Sequence, residues 1–308
     1  MPSLVGSEMC IRDRNVGIVQ LVEHDALDAA NKGFIAGMAA KGFKEGEKVT
    51  YDRQNAQADQ SNLQNIAHRF VSNNVDLICA IATPAVQTAA NITADIPIVA
   101  TAVTDYEAAK LVKNVAEPGT NVTGTTDMNP VGKQLELLLQ IVPQAKTIGT
   151  IYSSSEVNSQ LQVALLKQVA AEKGITVREA TVSNVNDIQQ AVRSIVGDVQ
   201  AIYVPTDNVV ASAMPTLMSI TEEAKLPVIC GESGPVKNGG LATIGIDYYK
   251  LGFQTGEMAA DILSGKSVPA KMPIQSQKDF KATINLKAAE RIGLKLPEAL
   301  LKDAEIVK

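Results

Sequence analysis

Apolar residues fall into short runs from Asn15 onward, and between these runs they recur at helical spacing. The first run, NVGIVQLV, leads through a polar turn into a helical stretch over about 26–41 that ends at Gly42. The same order repeats along the chain, with helical stretches of about 10–16 residues between successive strands. This alternation predicts βαβ units, and therefore parallel sheets flanked by helices.

Two halves of the chain follow the same plan. VDLICAIATPAV and VQAIYVPTDNVV share the order strand, Thr/Pro turn and helix, and ADIPIVATAVTD corresponds in the same way to AKLPVICGESGP. We therefore expect two similar α/β lobes, with 15–124 plus 248–276 in the N-terminal lobe and 125–247 plus 277–308 in the C-terminal lobe. The chain would cross between them near 124–130, 245–250 and 275–281.

The alternation of strands and helices is missing from the first fourteen residues but continues towards the end of the chain. Residues 1–14, MPSLVGSEMCIRDR, have no period and lack the order of a signal peptide. They resemble translated sequencing adapter, and we expect a disordered, non-native segment in place of a genuine leader. Towards the other end, helices are predicted over about 208–224 and 251–264, and KATINL is the last predicted strand.

Composition and motifs exclude several classes of protein. The 308 residues carry a net charge of −5 with no basic stripe, which argues against a nucleic-acid partner. Three cysteines cannot form a disulfide framework, and His24 and His68 lie too far apart in sequence for a typical metal site. The chain contains no dinucleotide fingerprint, no phosphate loop and no nucleophile elbow. We therefore expect no cofactor, no metal and no catalytic residues.

Candidate chemistry lies just beyond the carboxyl ends of the strands, where open parallel sheets bind ligands. These positions are rich in Thr, Ser, Asp and Glu and poor in basic side chains, which suits a small zwitterion. The Thr83-Pro84-Ala85 turn offers a hydroxyl and free N–H groups at a helix start for a carboxylate. An ammonium would pair with one or two of three acidic residues, namely Asp127, Glu232 and Asp247. Each of these acids is equally a candidate helix cap.

The whole predicted site consists of polar or small residues at strand ends from both lobes: Gln20, Thr83, Pro84, Ala85, Thr104, Asp105, Asp127, Tyr152, Asn158, Thr206, Asp207, Asn208, Glu232 and Asp247.

Several strings in the chain resemble one family. They are YDRQNAQADQSNLQNIAHRFV, CAIATPAVQTAAN, IPIVATAVTD, NVTGTTDM, YVPTDNVVASA and TIGIDYYKLGFQTGEMAADIL. Together they resemble ABC-transporter substrate-binding proteins of the tryptophan/tyrosine-type importers, over about residues 15–307. The resemblance implies a type I periplasmic binding protein, with two Rossmann-like lobes joined by a multi-strand hinge and one ligand in the cleft.

What the resemblance implies about function is binding without catalysis. A small amino acid, aromatic in the first instance, would be held as the lobes close, and an ABC permease with its ATPase would then import it. Thr83 and Ala85, helped by Thr104 or by N–H groups near Asp105, would hold the carboxylate. The second lobe would contribute Thr206, Asp207 and Asn208, and Gln20 and Tyr152 would line the side-chain pocket.

The resemblance also implies an extracytoplasmic protein, either periplasmic or lipid-anchored, and we expect a monomer. Alternatives remain open at this point. The ligand could instead be a branched-chain or other small amino acid, and the protein could instead be a ligand-sensing domain for signalling or chemoreception.

Overall fold

The computed structural model describes residues 13–307, and its strands form two sheets. The strands, in chain order, are β1 (Arg14–Gln20), β2 (Val49–Asn55), β3 (Leu77–Ile81), β4 (Ile98–Val103), β5 (Val122–Thr126), β6 (Thr147–Ser153), β7 (Thr176–Val182), β8 (Ala201–Val204), β9 (Val228–Cys230), β10 (Ala242–Gly245), β11 (Gln275–Ser276), β12 (Lys281–Asn285) and β13 (Glu305–Val307).

Helices follow most of these strands and cover both faces of the sheets. They are α1 (Asp25–Ala40), α2 (Gln60–Ser72), α3 (Thr83–Ile92), α4 (Val131–Ile141), α5 (Val157–Glu172), α6 (Ile188–Ile195), α7 (Asn208–Ser212), α8 (Met214–Glu223), α9 (Ser233–Lys237), α10 (Tyr248–Leu263), α11 (Leu286–Arg291) and α12 (Glu298–Leu301).

The two sheets repeat one strand order. The first runs β11-β5-β4-β3-β1-β2 with every pairing parallel, and the second runs β13-β12-β10-β9-β8-β6-β7 with one antiparallel pairing, between β10 and β12. In both, the first strand of the lobe lies between its second and third strands, so that the strand order reverses there. The prediction of two α/β lobes with parallel sheets and flanking helices is confirmed.

The chain passes between the lobes three times. It leaves the first sheet after Thr126, returns after Gly245 in β10, and leaves again after Ser276 in β11. The first of these points lies two residues beyond the expected lobe boundary at 124, since β5 continues to Thr126. All three segments adjoin the face where ligands of such sheets bind.

Several predicted elements differ from the observed ones. The single helix expected over 208–224 is two helices that meet at Ala213, because Pro215 in the first turn of α8 has no N–H to continue the helix from α7. KATINL is not the last strand, since α11, α12 and β13 follow it. Residues 1–12 lie outside the described chain. Arg14, expected to belong to the non-native segment, instead begins β1 and pairs with Val49.

Two helices from distant parts of the chain pack backbone against backbone. A Cβ at Gly33 would overlap the carbonyl oxygen of Tyr249, and one at Gly252 would overlap that of Ala30. One turn further along, Gly37 and Gly256 meet the facing backbone in the same way. Only glycine permits this approach, so α1 and α10 form one rigid unit.

We expect Gly252→Ala to destabilise the protein by about 3 kcal/mol, because the added methyl has to displace a backbone carbonyl rather than a flexible side chain. Urea unfolding monitored by circular dichroism measures the loss. Gly132→Ala is the matched control, since its Cβ on α4 would meet open space. It should leave stability unchanged or raise it by about 0.5–1 kcal/mol. Equal effects at the two positions would contradict the rigid helix pair.

Candidate functional site

A small cavity lies between the lobes, at the carboxyl ends of both sheets. Its lining combines polar groups from both lobes with a few apolar side chains: His24, Leu27, Ala102, Thr104, Asp127, Asn158, Thr206, Asp207, Asn208, Ala211, Glu232 and Tyr248. The cavity volume of about 10 Å³ accommodates about one water molecule. The lobes are therefore closed on each other, and anything larger requires them to separate.

Asp127 lies in the first crossing segment, directly after β5. Its Oδ1 accepts a hydrogen bond from the Thr104 hydroxyl at 2.9 Å, and its Oδ2 accepts one from the Tyr248 hydroxyl at 2.7 Å. Burial raises the pKa of the Asp127 carboxyl, and these two hydroxyls oppose the rise. Each carboxylate oxygen thus already has one partner within the protein.

Glu232 follows β9 and caps α9. Its Oε2 accepts the Gly234 N–H at 2.5 Å, whereas its buried Oε1 has no hydrogen-bond partner among residues 13–307. Burial, in the first place, raises the pKa of Glu232 to about 8, and the neighbouring Asp127 carboxyl adds to the rise. Glu232 therefore presents one free oxygen to the cavity.

Asp207 follows β8 and has a structural role. Its Oδ1 accepts the Val210 N–H at 2.8 Å and so caps α7. Its Oδ2 accepts the Ser153 N–H at 2.6 Å and the Ser159 hydroxyl at 2.7 Å. Because both oxygens accept hydrogen bonds within the second lobe, Asp207 links β6, α5 and α7 at the wall of the cavity.

Two asparagines complete this wall, and a carboxyl that the sequence analysis did not select lies against them. Glu156 accepts a hydrogen bond from Asn158 Nδ2 at 2.9 Å and one from Asn208 Nδ2 at 2.5 Å. Burial raises the pKa of Glu156, and the Asp207 carboxyl adds to this. Asn158 Oδ1 is buried and accepts no hydrogen bond from the described part of the chain.

Hydrogen bonds cross the cleft between the start of α1 and the second lobe. His24 Nε2 lies 3.1 Å from Asn208 Oδ1, and Asn238 Nδ2 donates to Asp25 Oδ2 at 3.0 Å. Burial lowers the pKa of His24, which favours the neutral ring. Since an amide oxygen only accepts, Nε2 carries the proton, and the buried Nδ1 is an acceptor with no partner within 13–307.

The cavity is acceptor-rich and acidic. Three buried atoms of its lining residues, Glu232 Oε1, Asn158 Oδ1 and His24 Nδ1, lack partners among the described residues, and we call them the open acceptors. The lining includes the carboxyls of Asp127, Asp207 and Glu232, and none of the twelve described side chains that form it is Lys or Arg. Buried carboxyls without a cation are costly, so the arrangement suits a ligand that brings a positive, hydrogen-bond-donating group.

Half of the fourteen predicted residues line this cavity: Thr104, Asp127, Asn158, Thr206, Asp207, Asn208 and Glu232. The other seven do not, and most of them have partners elsewhere. Gln20 bonds Asp28 and Asn31 in the first lobe, and Tyr152 donates to Glu179 on β7.

Asp105 and Asp247 both accept backbone N–H groups of the residues that follow them. For Asp247 this is the helix-cap role that was its alternative to pairing with an ammonium. Asp105 accepts N–H groups of the following turn, and Asp247 is an exposed residue that caps α10. Thr83, Pro84 and Ala85 form the first turn of α3 outside the lining. The Thr83 hydroxyl is buried and makes no hydrogen bond to any residue in 13–307.

Some lining residues were not selected from the sequence. Leu27, Ala102 and Ala211 are ordinary apolar residues of helices and strands, and nothing in their types distinguishes them. Ala102 has φ 56° and lies where the β4–β5 register shifts, which turns it into the cavity. Tyr248 was not selected either, because its bond to Asp127 joins the second crossing segment to the first and is visible only in three dimensions.

Within residues 13–307 there is no group of three metal-ligating side chains, and no helix of sufficient length and hydropathy to cross a membrane.

Comparison with known proteins agrees with this site between two lobes. The sequence profile described as ABC transporter substrate binding protein matches residues 15–308. The chain belongs to this family. A tyrosine-binding protein of Clostridioides difficile (strain R20291) is 46% identical to this family member over 274 residues, which are 89% of this chain and 79% of that protein.

Two solved structures relate the arrangement of the lobes in this substrate-binding protein to that of its relatives. An ABC domain of Streptococcus pneumonia in complex with L-Trp is 39% identical and superposes with a TM-score of 0.92, over 96% of this chain and 100% of the other. The ligand-free, open structure of a substrate-binding protein from Clostridium difficile is 48% identical, yet its TM-score is 0.72, over 96% and 99%. Higher identity with a poorer superposition indicates a different angle between the lobes. This binding protein thus has the lobe arrangement of the complex rather than that of the open structure.

The raised pKa of Glu232 predicts a pH-dependent effect on stability. Between its ordinary value of 4.5 and about 8, the carboxyl is protonated in the folded protein and ionised in the unfolded chain, so rising pH favours unfolding. Glu232→Gln removes this linkage. Relative to the wild type, the variant should gain stability, on the order of a few kcal/mol, as pH rises from 4.5 to 8, with no further gain above 8.

Urea unfolding at a series of pH values measures this difference. Glu136→Gln, on the exposed side of α4, is the control and should follow the wild type at every pH. Parallel curves for Glu232→Gln and the wild type would show that the folded-state pKa of Glu232 is not raised.

Proposed function

We propose that this protein binds an aromatic L-amino acid, tyrosine or tryptophan, between its lobes and presents it to an ABC permease. The observation that carries the proposal is the inter-lobe cavity with three open acceptors, three carboxyls and no Lys or Arg among the described lining residues. The tyrosine-binding relative and the L-Trp complex support the aromatic class.

An α-ammonium has three N–H donors, and the site has three open acceptors to receive them. We assign the main charge partner to Glu232, because its Oε1 is free and buried in the wall. Asp127 is a second, longer-range partner, since both of its oxygens already accept hydroxyl groups. Asp247, the third acid considered, lies outside the lining and caps α10.

The α-carboxylate requires donors. Thr206 offers one from the cavity lining, and the first turn of α3, which lies outside the lining of the closed form, offers more when the cavity widens around a ligand. The Thr83 hydroxyl is buried without a partner in the described chain, and it sits at the positive end of α3. Ala82, the residue before α3, is held at φ 85° and ψ 149°, a region that is strained for any residue with a Cβ. The Thr206 hydroxyl accepts from Gln162, which leaves its proton free to donate.

The aromatic ring would lie against Leu27, Ala102, Ala211 and the ring of Tyr248, which are the apolar surfaces of the cavity. Gln20 and Tyr152, which the sequence analysis assigned to this pocket, have partners elsewhere. A pocket of aliphatic and aromatic surface with a few fixed polar groups is typical of small-molecule sites.

Binding is coupled to hinge motion of the lobes, because a cavity of about 10 Å³ does not admit an amino acid until they separate. In this proposal the protein is an extracytoplasmic, monomeric and non-catalytic component, periplasmic or lipid-anchored. Its partners are the permease and the ATPase of the importer.

A ligand screen by thermal shift on the refolded protein tests the ligand class, with the twenty amino acids as the panel. A ligand at about 100 times its Kd stabilises by about 2.7 kcal/mol, which raises Tm by several degrees. We expect the shift with tyrosine, tryptophan or both. A shift confined to branched-chain amino acids would retain the binding function and refute the aromatic assignment, and no shift would refute an amino acid ligand.

Glu232→Gln should weaken binding of the amino acid by about tenfold to a hundredfold, since the ammonium loses its charged acceptor. Titration calorimetry measures the loss. At pH 7 the wild-type carboxyl, whose pKa burial raises to about 8, ionises as the ammonium docks, so binding should release a proton that the variant does not release.

Asp247→Asn is the matched control, because asparagine also caps helices and the position lies outside the cavity. It should bind with wild-type affinity. Weaker binding in the control than in Glu232→Gln would place the ammonium at Asp247.

A further inference from the structure

Glu156 is buried behind the cavity and does not line it. Its Oε1 accepts the backbone N–H groups of Asn208 at 3.1 Å and of Val209 at 3.2 Å. Its Oε2 accepts the side-chain amides of Asn158 and Asn208, at 2.9 and 2.5 Å. Every hydrogen bond to this carboxyl thus comes from an N–H donor.

This carboxylate determines which way the Asn208 amide faces, and it orients the Asn158 amide together with the Thr206 carbonyl oxygen, which accepts from Asn158 Nδ2 at 2.9 Å. Because Asn158 and Asn208 both direct Nδ2 towards Glu156, both of their Oδ1 atoms are turned away from it. Asn208 Oδ1 meets His24 across the cleft at 3.1 Å. Asn158 Oδ1 is one of the open acceptors. At Asn158 and Asn208 the second lobe therefore presents oxygens, not N–H groups, to the cavity and to His24.

Capping of α7 accounts for the bonds of Glu156 to the Asn208 and Val209 N–H groups, but not for its bonds to the two side-chain amides. Asp207 already caps this five-residue helix through Val210, and it is buried alongside. A second carboxyl beside the first adds like-charge repulsion and desolvation, which a hydrophobic or amide side chain would avoid. What the second carboxyl adds is an acceptor for both asparagine amides at once.

We propose that Glu156 is a positioning residue that fixes the two asparagine amides, and thereby makes the site select ligands that carry an ammonium group. The proposal rests on the proposed function for the identity of the ligand. The network itself lies wholly within the second lobe, so it does not depend on closure or on the ligand.

The variant Glu156→Gln keeps the shape of the side chain and replaces one acceptor by a donor. With its oxygen on the backbone N–H groups of Asn208 and Val209, the new NH₂ faces the two asparagine amides. Asn208 has to rotate, because its Nδ2 has no other acceptor among the described residues, and Asn158 is pushed the same way against its bond to the Thr206 carbonyl oxygen. Rotation turns N–H groups towards the cavity and against an ammonium.

The test compares L-tyrosine with its desamino analogue, 3-(4-hydroxyphenyl)propionate, by titration calorimetry. The wild type should prefer L-tyrosine, and Glu156→Gln should reduce that preference by about tenfold or more. Glu136→Gln, on the exposed side of α4, is the control and should retain the full preference. An unchanged preference in Glu156→Gln, including equal weakening of both ligands, would overturn the proposal.

A ligand-free measurement separates this inference from the proposed function. The side-chain NH₂ protons of Asn158 and Asn208 are shifted by their carboxylate acceptor, and NMR should show both pairs moving in Glu156→Gln and neither moving in the control. If the wild type binds neither compound, the aromatic assignment fails, and these NH₂ signals alone decide the role of Glu156. Unmoved signals would overturn it.

The double variant Glu156→Gln with Asn208→Asp restores complementarity at position 208. The glutamine NH₂ then donates to one oxygen of the introduced aspartate, the other oxygen still accepts from His24 Nε2, and Asn158 keeps its bond to the Thr206 carbonyl oxygen. The double variant should fold even if the single variant does not, and it should recover the preference for L-tyrosine. Failure to recover it in a folded double variant would count against the proposal.

Discussion

The backbone contact between α1 and α10 is the constraint on which the site depends. Glycines on both helices allow each to touch the carbonyl groups of the other, although the two lie more than two hundred residues apart in the chain. The first residue of α10 is Tyr248, which donates to Asp127 in the first crossing segment, while α1 begins beside His24. One rigid pair of helices thus holds the first-lobe side of the cavity and anchors two of the three hinge segments.

The second-lobe side of the cavity, opposite this helix pair, contains buried acidic residues. Asp207 is fully bonded within its lobe, whereas Glu232 has a free oxygen, and burial raises the pKa of both carboxyls. Such a site is less stable than an apolar one would be, a compromise that functional sites commonly make. The side-chain hydrogen bonds across the cleft join His24 to Asn208 and Asn238 to Asp25, and each contributes only about 1 kcal/mol. Closure therefore depends on what the ligand adds.

Sequence reasoning found the parts of this molecule that local pattern determines. Apolar runs such as LICAI and the helices between them predicted both lobes and their strand ends. It found the acids Asp127, Asp207 and Glu232, because their position after a strand is visible in the chain. It could not separate the cap Asp207 from Glu232, since that distinction depends on which oxygen finds a partner in three dimensions.

The residues that it missed share another property. Glu156 lies two residues before Asn158, in a turn without apolar pattern, and its importance comes from Asn208, fifty-two residues away. Ala102 reaches the cavity because of a register shift between β4 and β5, which no residue type announces. Tyr248 reaches Asp127 because two segments that cross between the lobes lie side by side. Contacts of this kind depend on which strands and helices are neighbours in three dimensions, and the residue pattern along the chain does not give that.

Selection and closure are one event in this arrangement. The first lobe lines the cavity with the apolar surface of Leu27 and Ala102, while the second lines it with Glu232 and the two asparagines. A ligand shifts the balance between open and closed forms only by the difference in its contacts with the two. A molecule that bonds only to the polar groups of one lobe gains nothing from closure. Closure would bury the polar groups of the other lobe without hydrogen-bond partners. In the proposed function, a ligand with a positive donor at one end and an anion at the other pairs with the polar groups of both walls, and it is the closed form that docks on the permease.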